Sequence, residues 1–166
     1  MSTSSSPFAP VRRIVTNHTL SGQASIMSDE NLSLAPYPGA DVEIRQIWSS
    51  DTYPDNPNTS DDKSLLNMGF NPVGSCLNVV DIPPRSEGFL HRSLTLDYTI
   101  VLKGQVSLVL DNESKTLIEE GNVVILQAGM HRWDNNTDNW ARLIGVLLPS
   151  QPPVVNGKEL KEELNL

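Results

Sequence analysis

A single cysteine, Cys76, stands in a chain of 166 residues, so no intrachain disulfide can form. The fold has to be held by a packed core, and this length suffices for one domain that has one. The chain also has no run near the roughly 18 apolar residues that a bilayer span requires, so no membrane association is expected. Positive charge is sparse, with 12 Lys and Arg against 20 Asp and Glu and a formal net charge of −8. An acidic surface repels phosphate backbones, and the densest basic feature is the pair Arg12 and Arg13, so nucleic acid is not an expected partner. The opening residues are Ser-rich and lack the charged-then-apolar layout of a secretory leader. With the lone cysteine, this sets the expectation of a reducing interior compartment, the cytoplasm. In that compartment the Asn-x-Ser/Thr triplets at Asn17, Asn31, Asn58, Asn112 and Asn135 are composition and not glycan acceptors.

What the chain does have is many short β-branched stretches cut by turn residues. Segments 11–16, 23–28 and 42–48 read as strands, the last with Val42, Ile44, Gln46 and Trp48 on one face. A polar loop at 51–64 is long enough to cover a pocket or simply to run through solvent. From Gly74 the pattern tightens into 75–82 (stopped by Pro83 and Pro84), 95–102, 105–110, 115–118, 123–127 and 142–148, separated by Gly, Asn and Asp turns. Such a series predicts an all-β sandwich or barrel. Only 158–164 shows helical spacing, with Leu160 and Leu164 four apart. The expected organisation is a disordered tail at 1–10, one domain over 11–150, and a tail with a short helix over 151–166.

Two polar groups interrupt this series. His91, Ser93 and Asp97 precede one turn, and His131, Trp133 and Asn135 follow another. Residues two apart on a strand share a face, so each set points one way if the strand stays regular. If both strands line one barrel, two imidazoles and a carboxylate converge, the set that binds Fe(II) and similar divalent metals.

The arrangement resembles the cupin superfamily. Its first motif, G-x5-H-x-H-x(3,4)-E-x6-G, is met by His91, Asp97 and Gly104. Its second, G-x5-P-x-G-x2-H-x3-N, is met by Gly121, His131 and Asn135. Arg85 replaces the opening glycine, Ser93 the second histidine, and Gln127 the proline; His131 arrives one residue early. The strings His91-Arg92-Ser93 with Asp97-Tyr98, and His131-Arg132-Trp133-Asp134-Asn135, are similar to a group of small stand-alone cupins of bacteria and fungi, often encoded among genes for secondary metabolism. The resemblance implies a jelly-roll barrel (a double-stranded β-helix) with core motifs over 83–135.

For the site, it implies His91, Asp97 and His131 as catalytic residues and as ligands of a divalent metal such as Fe, Zn, Mn or Ni. A metal-free pocket in which Asp97 orients a histidine is the close alternative. Ser93, Trp133, Asn135 and Arg85 are the candidate substrate contacts, Arg85 only if its loop folds over the barrel mouth. Both versions support lyase or isomerase chemistry on a small oxygenated, polyketide-like metabolite: dehydration, isomerisation or decarboxylation. An Fe(II)-dependent dioxygenase and a non-catalytic small-molecule-binding module are the other readings. The resemblance further implies a homodimer, with 11–16 able to cross between subunits.

Overall fold

The structure is a computed structural model and describes residues 5–58, 61–65 and 73–164. Among them the chain runs through β1 (Val11–His18), β2 (Ala24–Leu32), β3 (Ala35–Pro36) and β4 (Glu43–Ser49), then a 3-10 turn at Lys63–Leu65. It continues with β5 (Cys76–Ile82), β6 (His91–Arg92), β7 (Thr95–Lys103), β8 (Gln105–Leu110), β9 (Lys115–Glu119) and β10 (Val123–Gln127). The last elements are β11 (His131–Asp134), β12 (Ala141–Pro149), β13 (Val154–Val155), β14 (Lys158–Glu159) and β15 (Glu163–Leu164). No described helix is long and apolar enough to cross a membrane.

Two antiparallel sheets form a jelly roll, the all-β architecture that the strand series predicts in the form that the resemblance implies. One has the order β10-β7-β12-β5-β4-β3, the other β15-β6-β11-β8-β9. Consecutive strands repeatedly land in opposite sheets: β7 and β8 are joined at Gly104, which has positive φ (73°), yet belong to different sheets. A Cβ at Gly104 would also come within 2.8 Å of the Trp140 carbonyl, so only glycine makes that corner. Inward residues alternate along each wall. On β7 they are Thr95, Asp97, Thr99 and Val101, all buried, while Tyr98 is exposed. At one end of the barrel Ile82, Val101, Val106, Ile118, Ala141 and Leu143 close a dry core drawn from both sheets. The other end stays open, and the polar inward residues sit there.

The hairpin β1–β2 packs outside the wall. Leu32, Ile47 and Val79 form a second cluster with Val11, Leu77 and Ile144 at its edge. Here strict alternation along β4 fails: Gln46 faces Asn78, but Trp48 faces Leu77. Ile47 is the extra residue of a bulge, which swings Trp48 out to the hairpin side, where the Arg13 guanidinium lies 5.8 Å from its ring. Arg13 itself is buried and is held by Glu30, by Asp62 (2.6 Å) and by the Ile47 carbonyl (3.1 Å). The 51–64 loop, of which 59–60 lie outside the described residues, is tied to this side by Asp62 on Arg13 and braced within itself by Lys63 on Asp51 and Asp55.

Both chain ends differ from expectation. No helix forms at 158–164. Asn156 and Gly157 both have positive φ, the geometry of a two-residue hairpin turn, and they fold β14 back on β13. The chain then adds β15 to the edge of β6, Leu164 opposite His91, because unpaired strand edges accept strands. Of the expected 1–10 tail, residues 1–4 lie outside the described residues, and 6–9 lie on the barrel. Ser6 Oγ donates to Asp81 (2.5 Å), the Ala9 carbonyl accepts from Arg142 (2.8 Å), and the Phe8 ring lies 5.0 Å from that guanidinium. The anchor is the bidentate Arg142–Asp81 pair (2.6 and 2.7 Å), with the carboxylate wholly buried.

Candidate active site

His91 on β6 and His131 on β11 are direct antiparallel partners, so their side chains emerge side by side on one face. Their ring centroids are 4.4 Å apart, tilted by 49°. The same local device fixes each ring: Nδ1 bonds the carbonyl two residues upstream, Phe89 for His91 (3.1 Å) and Gly129 for His131 (2.9 Å). A carbonyl only accepts, so both Nδ1 atoms carry the proton and both Nε2 atoms present lone pairs. Burial pulls both imidazoles below their ordinary pKa, and for His131 the neighbouring His91 adds repulsion and brings it to about 4. Two neutral imidazoles therefore stand together at neutral pH.

The rings belong to a longer aromatic wall. Phe89 stacks on His91 with centroids 4.7 Å apart, and Trp133 meets His131 edge-on at 6.0 Å. Gly88 permits this, since a Cβ there would come within 2.5 Å of the Trp133 carbonyl. The wall bounds a cavity of about 550 Å³, also lined by Val80, Leu143 and Leu147 of the facing sheet. The strand register supplies its polar floor. Thr99 and Asn78 flank Gly145 on neighbouring strands, and Asp97 lies one row along, opposite Leu147. Gly145 contributes no side chain, which keeps the floor open. The segments 37–42 and 86–89 carry the exposed Asp41 and Glu87 at the rim.

Asp97 is 5% exposed, and its Oδ1 has no hydrogen-bond partner. Burial raises its carboxyl to about 6, partly offset by the Thr95 hydroxyl. The usual order of a carboxyl and an imidazole is thus reversed, with Asp97 titrating above His131.

His91, Asp97, His131 and Trp133 all line the one cavity. A three-ligand site needs three donors converging on one point, and among the described residues no three His, Cys, Asp or Glu are grouped to hold an ion. Asp97 sits on the sheet facing the two imidazoles, with a carboxylate one methylene shorter than glutamate.

Three expected substrate contacts lie elsewhere. The extended run breaks after Arg92, so the face shared with His91 ends before Ser93, which is buried with its hydroxyl on Thr95 (2.7 Å). Asn135 is fully buried as the anchor of the 135–139 turn. Its amide donates to the carbonyls of Ile82 (3.2 Å) and Asn139 (2.8 Å), and its Oδ1 accepts from the Thr137 amide (3.0 Å) and hydroxyl (2.8 Å). Arg85, at positive φ (55°), points to solvent and pairs with Asp138 (2.8 Å). Conversely, Phe89, Asn78 and Thr99 line the cavity without having been singled out. The signal for the last two was available, since each is a polar residue at an inward position of its strand.

No protein-family model matches the chain. It is 36% identical over 92 residues to the phomopsin biosynthesis cluster protein D of Diaporthe leptostromiformis, covering 55% of this chain and 49% of that protein. It is 36% identical over 90 residues to the cupin-domain-containing oxidoreductase srdB of Neurospora crassa (54% and 46%). It is 33% identical over 94 residues to the oryzines biosynthesis cluster protein J of Aspergillus oryzae (56% and 52%). The matches thus span about half the length of these relatives. Among solved structures, the Cnp3 cupin domain of Schizosaccharomyces pombe superposes with a TM-score of 0.54 at 11% identity, covering 84% of this chain and 88% of that one. An RmlC-like cupin protein of Desulfovibrio desulfuricans gives 0.50 at 12% identity, covering 75% and 97%. The fold is that of a cupin.

Proposed function

We propose that this cupin is a tailoring enzyme of secondary metabolism, a lyase or isomerase that moves protons on a small oxygenated metabolite without a metal. One observation carries the reading: a pair of neutral imidazoles, each protonated at Nδ1 through its bond to a carbonyl, shares a cavity with a carboxyl that holds its proton up to about pH 6. Pairs of titratable groups whose pKa values are pushed apart are the usual mark of acid and base roles. The placement of the relatives in biosynthesis clusters supports the setting.

In this mechanism an imidazole Nε2 takes a proton from the carbon next to a substrate carbonyl. The protonated Asp97 gives its proton either to a β-hydroxyl, which leaves as water as the C=C bond forms, or, with a β,γ-unsaturated substrate, to the γ-carbon of the dienolate that the deprotonation leaves, which shifts the C=C bond. Asn78 and Thr99 hold the substrate oxygens, and Trp133 and Phe89 flank a flat ligand. The chain works as a homodimer in this reading.

Exchange of a substrate α-proton for deuterium, followed by NMR in D2O with neutral β-hydroxy ketones, tests the reading. The protein is expected to exchange with and without chelator. His131→Ala should lose on the order of 100-fold or more, the scale of general acid–base catalysis. Chelator-sensitive turnover with oxygen uptake, restored by anaerobic Fe(II), would establish the dioxygenase reading that the oxidoreductase names of several relatives favour. Tight binding without exchange would leave a binding module.

A further inference from the structure

The cavity lining can be read for charge as well as for shape. We infer that the cavity selects uncharged ligands and rejects acids, because Asp41 and Asp97 line it and no lysine or arginine among the described residues does. The inference rests on the cavity being the ligand site of the function proposed above, and it narrows that function.

The neighbouring cation does not change the balance. Arg132 lies on the opposite face of β11 from His131, and three carboxylates already surround it: Asp134 (3.1 Å), Glu113 (3.2 Å) and the rim residue Glu87 (3.3 Å). Inside, the polar groups are Asn78, Thr99 and two imidazoles that burial keeps neutral. A carboxylate or phosphate entering this space gives up water, finds no counter-charge and approaches Asp97, the arrangement by which sites reject a wrong ligand. A neutral ring bearing a carbonyl or hydroxyl has the aromatic wall from Phe89 to Trp133 on one side and Val80, Leu143 and Leu147 on the other. Of the three reactions open to the site, decarboxylation of a free acid is therefore disfavoured, and dehydration and isomerisation remain.

The test compares two probes of nearly the same shape, 2-acetylnaphthalene and 2-naphthoate, which differ in a methyl against a charged oxygen. Isothermal titration at pH 8 should show the ketone bound at least about tenfold tighter, the order expected for leaving one charge unpaired. Asp97→Asn should raise naphthoate affinity several-fold and narrow the gap between the two probes. Binding of naphthoate as tight as the ketone overturns the inference, as does binding of neither at millimolar concentration, or a gap unmoved by both Asp97→Asn and Asp41→Asn. Titration reads binding alone: a protein that shows the selectivity but no deuterium exchange loses the proposed reaction and keeps this inference, and the reverse pattern separates them the other way.

Discussion

Asp97→Asn removes one charge from the cavity floor without changing its shape, and its effect on stability follows from the carboxyl's own titration. Burial raises that carboxyl from 3.8 to about 6. A raised folded-state pKa means that the folded chain holds a proton the unfolded chain has lost. The group's favourable contribution is therefore complete below about pH 3.8 and gone once pH passes about 6. At about 1.4 kcal/mol per pKa unit, the buried carboxylate costs on the order of 2–3 kcal/mol at pH 8 relative to a neutral group. Asparagine is always neutral, so the variant should be more stable than the parent by about 2 kcal/mol at pH 8, after allowing for a weaker contact with the Thr95 hydroxyl. The two should nearly coincide at pH 4. The histidines titrate in both proteins and cancel in the difference. Urea unfolding followed by tryptophan fluorescence should show a midpoint about 1 M higher for the variant at pH 8, taking a slope near 2 kcal/mol/M. A variant that is less stable at pH 8, or a difference that does not vary with pH, would refute the reasoning.

Other residues yield sharper contrasts. Arg142→Ala strands the fully buried Asp81 carboxylate and frees the 6–9 segment, and should cost about 3–5 kcal/mol by chemical denaturation, far more than a surface ion pair. Asn135→Ala deletes four hydrogen bonds and should cost about 2–4 kcal/mol, while 2-acetylnaphthalene affinity stays within twofold by titration. A selective loss of binding would restore Asn135 to the substrate contacts. At Gly145 a Cβ meets only ordinary contacts at 3.5 Å and beyond. Gly145→Ala should therefore leave the urea midpoint near the parent's and weaken 2-acetylnaphthalene binding several-fold by narrowing the floor. At Gly88, where the same atom meets a backbone carbonyl, alanine should destabilise the chain by well over 1 kcal/mol.

The strands and the central residues were legible because they depend on short-range rules. Inward alternation along β7 picks out Asp97 whatever the rest of the chain does, and His91 and His131 fall on strands that the jelly roll brings together. What was not legible depends on single backbone events. A break after Arg92 removes Ser93 from the shared face, and one extra residue at Ile47 turns Trp48 outward. The Asn156–Gly157 turn converts a stretch with helical spacing into paired strands, although that dipeptide was itself a readable hairpin signal. Asn135 keeps its motif position but serves the turn that follows β11: a conserved-looking spacing told where the residue sits and not which neighbours it bonds. The metal expectation turns on the same kind of detail, since residue types on strands cannot say whether three donors converge on one point.

The state of the two imidazoles can be read directly by long-range nitrogen–proton NMR on protein with 15N-labelled histidine, titrated from pH 8 to pH 3.5. Both rings should show the neutral tautomer protonated at Nδ1 at pH 7, with His131 remaining neutral until pH approaches about 4. An Nε2-protonated tautomer at either ring, or a His131 that takes up its second proton near pH 6.5, would contradict the paired neutral bases on which the proposed proton chemistry stands.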